Sequence, residues 1–288
     1  MPYVETGEVE TYYEHHGEGP PVVFIHGLGW DHRSWRPQLT ALEDEYQVVA
    51  YDYRGHGETT GSGASVRSIS QLAGDLHALV DELGIEQPVL CAHSYGGLIA
   101  AEYAIQYPDA VSGIVFADAR TAVGETTVER VMFRLQPVFD RAADVVGEAR
   151  VERVLEFLAK RVGGMEEGPE KEVPELGMTT SEYAEDAGEA FSSEAQETCM
   201  DAALAYVGTS PTDFHVPVLY AYGERTGGAI ASKAKQLERA PTDVRVEEIV
   251  GASHGVMLDR PDVFTETVRE FLADVTSEQD VGAPAADG

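Results

Sequence analysis

The apolar run Pro88-Val89-Leu90-Cys91 passes straight into Ala92-His93-Ser94-Tyr95-Gly96-Gly97, and that into the helix-like stretch Leu98 to Tyr107. A strand that reverses into a helix over so few residues crowds its own backbone, so small side chains are needed two before and two after Ser94. Ala92 and Gly96 meet that demand. The turn lifts the Ser94 hydroxyl above the sheet edge, and the helix N-terminus beneath it favours developing negative charge.

Other segments share this punctuation. Val22-Val23-Phe24-Ile25 reads as a buried strand entering His26-Gly27-Leu28-Gly29-Trp30, where two glycines let backbone amides turn toward a ligand. Val48 to Tyr51 enters Asp52-Tyr53-Arg54-Gly55-His56-Gly57, a turn whose Arg54 and His56 read as architecture. Gly113 to Ala117 is a buried strand that delivers Asp118 to its C-terminal end, the edge at which sites form in open α/β sheets. Late in the chain, strands are expected at Val216 to Tyr222 and Val244 to Val250, the second leading into Gly251-Ala252-Ser253-His254-Gly255. Helices are expected at Trp35 to Glu43, within Ser65 to Leu83 on the stripe Ile69, Leu72, Ala73, Leu76, Leu79, Val80 and Leu83, at Ala229 to Leu237 and at Pro261 to Val275. His77 lies off that stripe and reads as solvated. Val4 to His16 alternates as an antiparallel edge hairpin broken near Thr6-Gly7.

Between Arg120 and about Phe214 the character changes. Val128 to Phe139 and Val151 to Val162 suit helices, the acidic stretch Gly168 to Gly177 suits a loop, and Ser181 to Ala190 and Ser193 to Val207 suit two more helices. Ser193 and Gln196 are spaced as a capping box at the start of the last.

Taken in order, these segments resemble the α/β-hydrolase superfamily, the branch with an H-G-x-G segment, a serine elbow and a late G-x-x-H, over roughly residues 3 to 120 and 212 to 274. The resemblance implies an α/β fold with a mostly parallel eight-stranded sheet, helices on both faces and a helical lid inserted after the sixth strand. It divides the chain into a core of residues 1–120 and 212–275 and a lid of 121–211, leaving a disordered tail of 276–288. Met132, Phe133, Phe139, Phe191 and Met200 supply enough apolar bulk for the lid to cover a site.

A nucleophilic serine needs a base, and the base needs a carboxylate to hold its tautomer and stabilise its protonated form. Ser94 and His254 fill the first two roles. By position, the resemblance implies that the backbone amides of Leu28 and Tyr95 form the oxyanion hole. The acid is open. In most relatives it is an aspartate in a G-x-x-D turn after the seventh strand, but here that turn reads Gly223-Glu224-Arg225-Thr226. Asp118 at the sixth strand's end preserves the order Ser94, Asp118, His254, Glu224 is a second candidate, and a degenerate triad is the third. His26 reads as a loop-organising hydrogen bonder and His93 as buried under the elbow.

These parts imply a cofactor-independent serine hydrolase, most simply a carboxylic-ester hydrolase acting on a small neutral or apolar substrate through an acyl-enzyme. Lactonase, carbon-carbon bond hydrolase and perhydrolase-like reactions use the same parts. A small-molecule receptor with a degenerate triad is the alternative of another class. No H-E-x-x-H occurs, His15 and His16 fall on opposite strand faces, and Cys91 and Cys199 lie far apart in sequence, so neither a metal site nor a disulfide framework is expected.

Charge bounds the partners. With 20 basic and 51 acidic residues the net charge is −31, and lysine occurs four times. Such a field repels nucleic acid and anionic membranes. Its carboxylates are spread over every segment, a pattern similar to proteins of salt-accumulating halophiles, which remain hydrated and folded at high salt. With no apolar run of membrane-spanning length and no export signal at the N-terminus, the expectation is a cytoplasmic protein.

Overall fold

A computed structural model describes residues 2–59, 65–122, 170–239 and 244–282. The helices expected at Val128 to Phe139 and Val151 to Val162 lie outside these residues. Strands β1 (Tyr3–Thr6), β2 (Val9–His16), β3 (Pro21–Ile25), β4 (Gln47–Tyr51), β5 (Val89–His93), β6 (Gly113–Ala117), β9 (Val218–Gly223) and β10 (Val244–Ile249) form one sheet in the order β1-β2-β4-β3-β5-β6-β9-β10. The first two pairings, β1 with β2 and β2 with β4, are antiparallel; all others are parallel. This is the α/β-hydrolase architecture that the resemblance implies.

Period-two alternation divides each central strand between two cores. Val23, Ile25, Leu90, Ala92, Ile114 and Phe116 face one side with α2 (Ile69–Glu82), α3 (Gly96–Gln106) and α6 (Gly228–Leu237). Val22, Phe24, Val89, Cys91, Val115 and Ala117 face the other, with α1 (Arg36–Leu42), the short α7 (Val256–Asp259) and α8 (Pro261–Gly282). Both faces are thereby covered, which is why these strands read as continuous apolar runs. Cys91 is a fully buried member of that packing.

After β3 the chain moves to β4 on one side; β5, β6, β9 and β10 then build outward on the other. The order therefore reverses between β3 and β5, and the crevice beyond their carboxyl ends is where an open α/β sheet offers a site. The loop after β3 and the Ser94 turn after β5 both open there.

Between β6 and β9, the described residues form a two-residue hairpin, β7 (Glu172–Val173) with β8 (Met178–Thr179), then α4 (Thr180–Ala190) and α5 (Ser193–Ala205). The acidic stretch read as loop thus includes a hairpin, closed by a turn at Gly177 with positive φ. The last of these helices is capped by Ser192, whose side chain accepts from the Ala195 amide, one residue before the cap expected at Ser193. A capping box does occur, at Thr179 and Glu182 on α4. The helix α8 runs on to Gly282, where the sequence reading expects a disordered tail from residue 276; the residues after 282 lie outside the described part. His77, expected to be solvated, is half-buried and stacks on Tyr107 with centroids 3.8 Å apart. Among the described residues no helix is long and apolar enough to cross a membrane.

Candidate active site

Ser94 sits at the β5–α3 junction with φ of +50°, a left-handed conformation that a non-glycine residue holds only where the surroundings enforce it. They do so here: a Cβ on Gly96 would lie 2.7 Å from the carbonyl oxygens of Ile25 and His26. The turn is therefore pressed against β3, and the Ser94 carbonyl is held by the amides of Gly97 at 3.1 Å and Arg120 at 3.3 Å.

His254 projects from the loop after β10 and places Nε2 2.9 Å from Ser94 Oγ. Its Nδ1 lies 2.6 Å from Asp118 Oδ2. Of the candidates that the sequence leaves open, Asp118 is the carboxylate that the structure brings to His254. It ends β6 with φ of +47° and is fully buried, with Oδ1 accepting from the Gly223 amide at 2.9 Å. Glu224 faces elsewhere: it is exposed and accepts from the Gly251 amide at 2.9 Å.

The loop after β3 lies against Ser94, since a Cβ on Gly27 would stand 3.2 Å from the Ser94 Cβ. The next residue is Leu28, and Tyr95 is the N-cap of α3. Fixed amides aimed at the position where charge develops need no reorganisation during reaction. The Tyr95 hydroxyl donates to the Cys199 carbonyl at 2.8 Å, which ties α5 to the elbow.

Four histidines near the crevice have divergent electrostatics. Burial pushes His26, His56 and His93 below the ordinary range, so they stay neutral. His56 Nε2 accepts the Gly29 amide at 3.2 Å, fixing the loop that carries Leu28, and His93 Nε2 donates to the His254 carbonyl at 2.9 Å, fixing the loop that carries His254. His26 is fully buried and stacks on Tyr53, with Nδ1 2.8 Å from the Gly27 carbonyl. His32 is the reverse case. Burial alone would lower it, but hydrogen bonds to Asp52 and Glu14 win and push it up to about 9. The Asp31, His32 and Asp52 side chains lie close enough to share a cation, but each is engaged within the protein. Asp31 accepts from Arg33, and Asp52 accepts from His32 and from the Glu58 amide.

Sequence reasoning missed His32, Trp30 and Tyr183. Trp30 stacks on His93, and a Cβ on Gly255 would lie 3.1 Å from its ring, so it braces the loop bearing His254. Tyr183 of α4 accepts the Asp31 amide at 3.2 Å and meets Trp30 edge-on. Phe191, singled out for its bulk, stacks on His56 and lies 3.4 Å from a Cβ placed on Gly29. No local signature marks these contacts, because each joins segments far apart in sequence.

Comparison with known proteins agrees with the fold. The chain is 27% identical over 278 residues, 96% of its length and 99% of the other, to the Azorhizobium caulinodans protein named carbamate hydrolase RutD. A match to RutD of Escherichia coli O9:H4 is 34% identical but spans 47% of this chain and 51% of that protein. Among solved structures, the enol-lactonase of Burkholderia xenovorans LB400 is 26% identical with a TM-score of 0.68, covering 94% of this chain and 100% of that one. The thermophilic esterase of Thermogutta terrifontis is also 26% identical, with a TM-score of 0.67 over 95% of this chain and 97% of the other. The model of the alpha/beta hydrolase fold matches residues 20–261, and the chain belongs to that family.

Proposed function

We propose that the protein is a serine hydrolase without a cofactor, acting on carboxylic esters of small neutral or apolar molecules through an acyl-enzyme. The observation that carries this reading is the unbroken hydrogen-bonded line from Ser94 Oγ through both His254 nitrogens to Asp118, at 2.9 and 2.6 Å. Ser94 Oγ attacks the carbonyl carbon while His254 Nε2 takes its proton, and the Leu28 and Tyr95 amides receive the oxyanion. Asp118 holds the imidazole so that the lone pair faces serine, and stabilises the imidazolium. His254 then protonates the leaving alkoxide, and in the second half it deprotonates the water that releases the acid.

A second reading, hydrolysis of lactones, is favoured by the enol-lactonase likeness along nearly the whole chain. The name of the Azorhizobium relative adds carbamates to the carbonyl substrates worth testing. Residues 121–211 act in this reading as a lid, of which α4 and α5 already lie against the loops at the site. The spread of carboxylates supports a further part of the proposal, an enzyme working in the cytoplasm of a salt-rich cell.

The test is covalent. A fluorophosphonate probe in molar KCl should modify wild-type protein at Ser94, fail with Ser94→Ala and react far more slowly with His254→Ala. Ester, lactone and carbamate panels then rank the substrates. A folded protein inert to the probe would replace the enzyme with the small-molecule binder.

A further inference from the structure

We infer that Thr226 is a positioning residue for the triad acid: its hydroxyl aims the Asp118 carboxylate at His254. The inference rests on the proposed role of Asp118. Thr226 Oγ1 donates to Asp118 Oδ2 at 2.7 Å, and this is the same oxygen that His254 Nδ1 meets at 2.6 Å. A carboxylate oxygen offers two lone pairs. With the threonine on one of them, the other is directed toward the imidazole. The second oxygen, Oδ1, is taken by the Gly223 amide at 2.9 Å, so the carboxylate is held against rotation at both ends.

Both of those donors come from one turn. The Thr226 amide donates to the Gly223 carbonyl at 3.1 Å, which closes residues 223–226 into a rigid bracket. The bracket also seats the loop that carries the base. The Arg225 amide donates to Ala252 at 3.0 Å, the Glu224 amide to Ile249 at 3.2 Å, and the Glu224 carboxylate accepts from Gly251 at 2.9 Å. Packing there is too close for any side chain at position 223, where a Cβ would lie 2.2 Å from the Ser253 carbonyl oxygen. Acid and base are therefore registered against the same four residues. The Thr226 hydroxyl is the one side-chain donor that the bracket extends to the acid.

The test is a set of variants assayed for kcat and KM on one ester in molar KCl, with the melting temperature of each recorded. Thr226→Val keeps the shape and removes the hydroxyl. It should lower kcat by about tenfold to a hundredfold, the range for a lost hydrogen bond to a charged group, with KM little changed. Thr226→Ser should recover most of the loss. In an Asp118→Asn background, Thr226→Val should cost almost nothing further, because the group it positions has gone. The inference is overturned if Thr226→Val turns over like wild type, if serine fares no better than valine, or if the valine loss persists in full beside Asp118→Asn. Failure of the underlying assignment looks different: Asp118→Asn alone would then keep its activity.

Discussion

His32 is held between two carboxylates, and removing its charge should be measurable as lost stability. Its Nδ1 lies 2.9 Å from Asp52 Oδ2, its Nε2 lies 3.4 Å from Glu14 Oε1, and its backbone amide donates to Asp52 Oδ1 at 2.7 Å. The side chain is only 5% exposed, so solvent and salt screen these interactions little. A group raised from an ordinary value of 6.5 to about 9 corresponds to roughly 3 kcal/mol, at about 1.4 kcal/mol for each pH unit. Glu14, lowered to about 2 chiefly by its hydrogen bond to His32, reports the same contact from the other side and is not counted again.

The sign follows from the direction. Because the folded protein binds this proton more tightly than the unfolded chain, the contribution is complete below about 6.5 and disappears as pH rises through about 9. Urea unfolding in molar KCl, followed from pH 6 to 9.5, should show wild type losing about 3 kcal/mol more than His32→Gln over that interval. The high salt collapses the Debye length to about 3 Å and quiets the exposed carboxylates, leaving the buried group as the difference. Parallel stability curves for the two proteins would refute the argument. It would mean that His32 is neutral between Asp52 and Glu14.

Two further outcomes are expected. Asp118→Asn should lower kcat by about four orders of magnitude, as loss of a triad acid does in serine proteases, while Glu224→Gln should change it little; the opposite ranking would move the acid to Glu224. With a net charge of −31, the melting temperature and activity should rise steeply from dilute buffer to molar KCl, and a melting point indifferent to salt would remove the halophilic reading.

The proposed catalytic constellation is legible in the sequence where chemistry coincides with local geometry. Ser94 stands out because a tight strand-to-helix turn needs small neighbours, and His254 because a glycine-flanked loop follows a late strand. Asp118 is offered by the resemblance together with its strand-end place and the chain order, but choosing it over Glu224 needs the distances, since both follow strands on the same sheet edge. Thr226 reads in the sequence only as a missing charge. Its hydroxyl gains significance through Asp118, 108 positions earlier. His32 was equally silent, since nothing beside it announces that Glu14 of β2 and Asp52, the residue after β4, converge on its ring. The elements themselves were easier, because a central strand alternating between two buried faces cannot tolerate polar residues in its interior. Boundaries slipped where several residues are equally suitable, as with adjacent serines 192 and 193 at a helix start.

Arg33 binds Asp31 at 2.6 Å and reaches Asp186 on α4 at 2.7 Å, while Tyr183 and Phe191 of the same inserted segment grip the stretch from Gly29 to Asp31. The described part of the segment inserted between β6 and β9 is thereby bolted onto the loop that follows β3. Exchanging it for a relative's equivalent would not simply reshape the room in which substrate sits. It would also shift the Leu28 amide, so turnover and selectivity would change together, and natural diversification here would have to conserve the anchors while the walls were rebuilt.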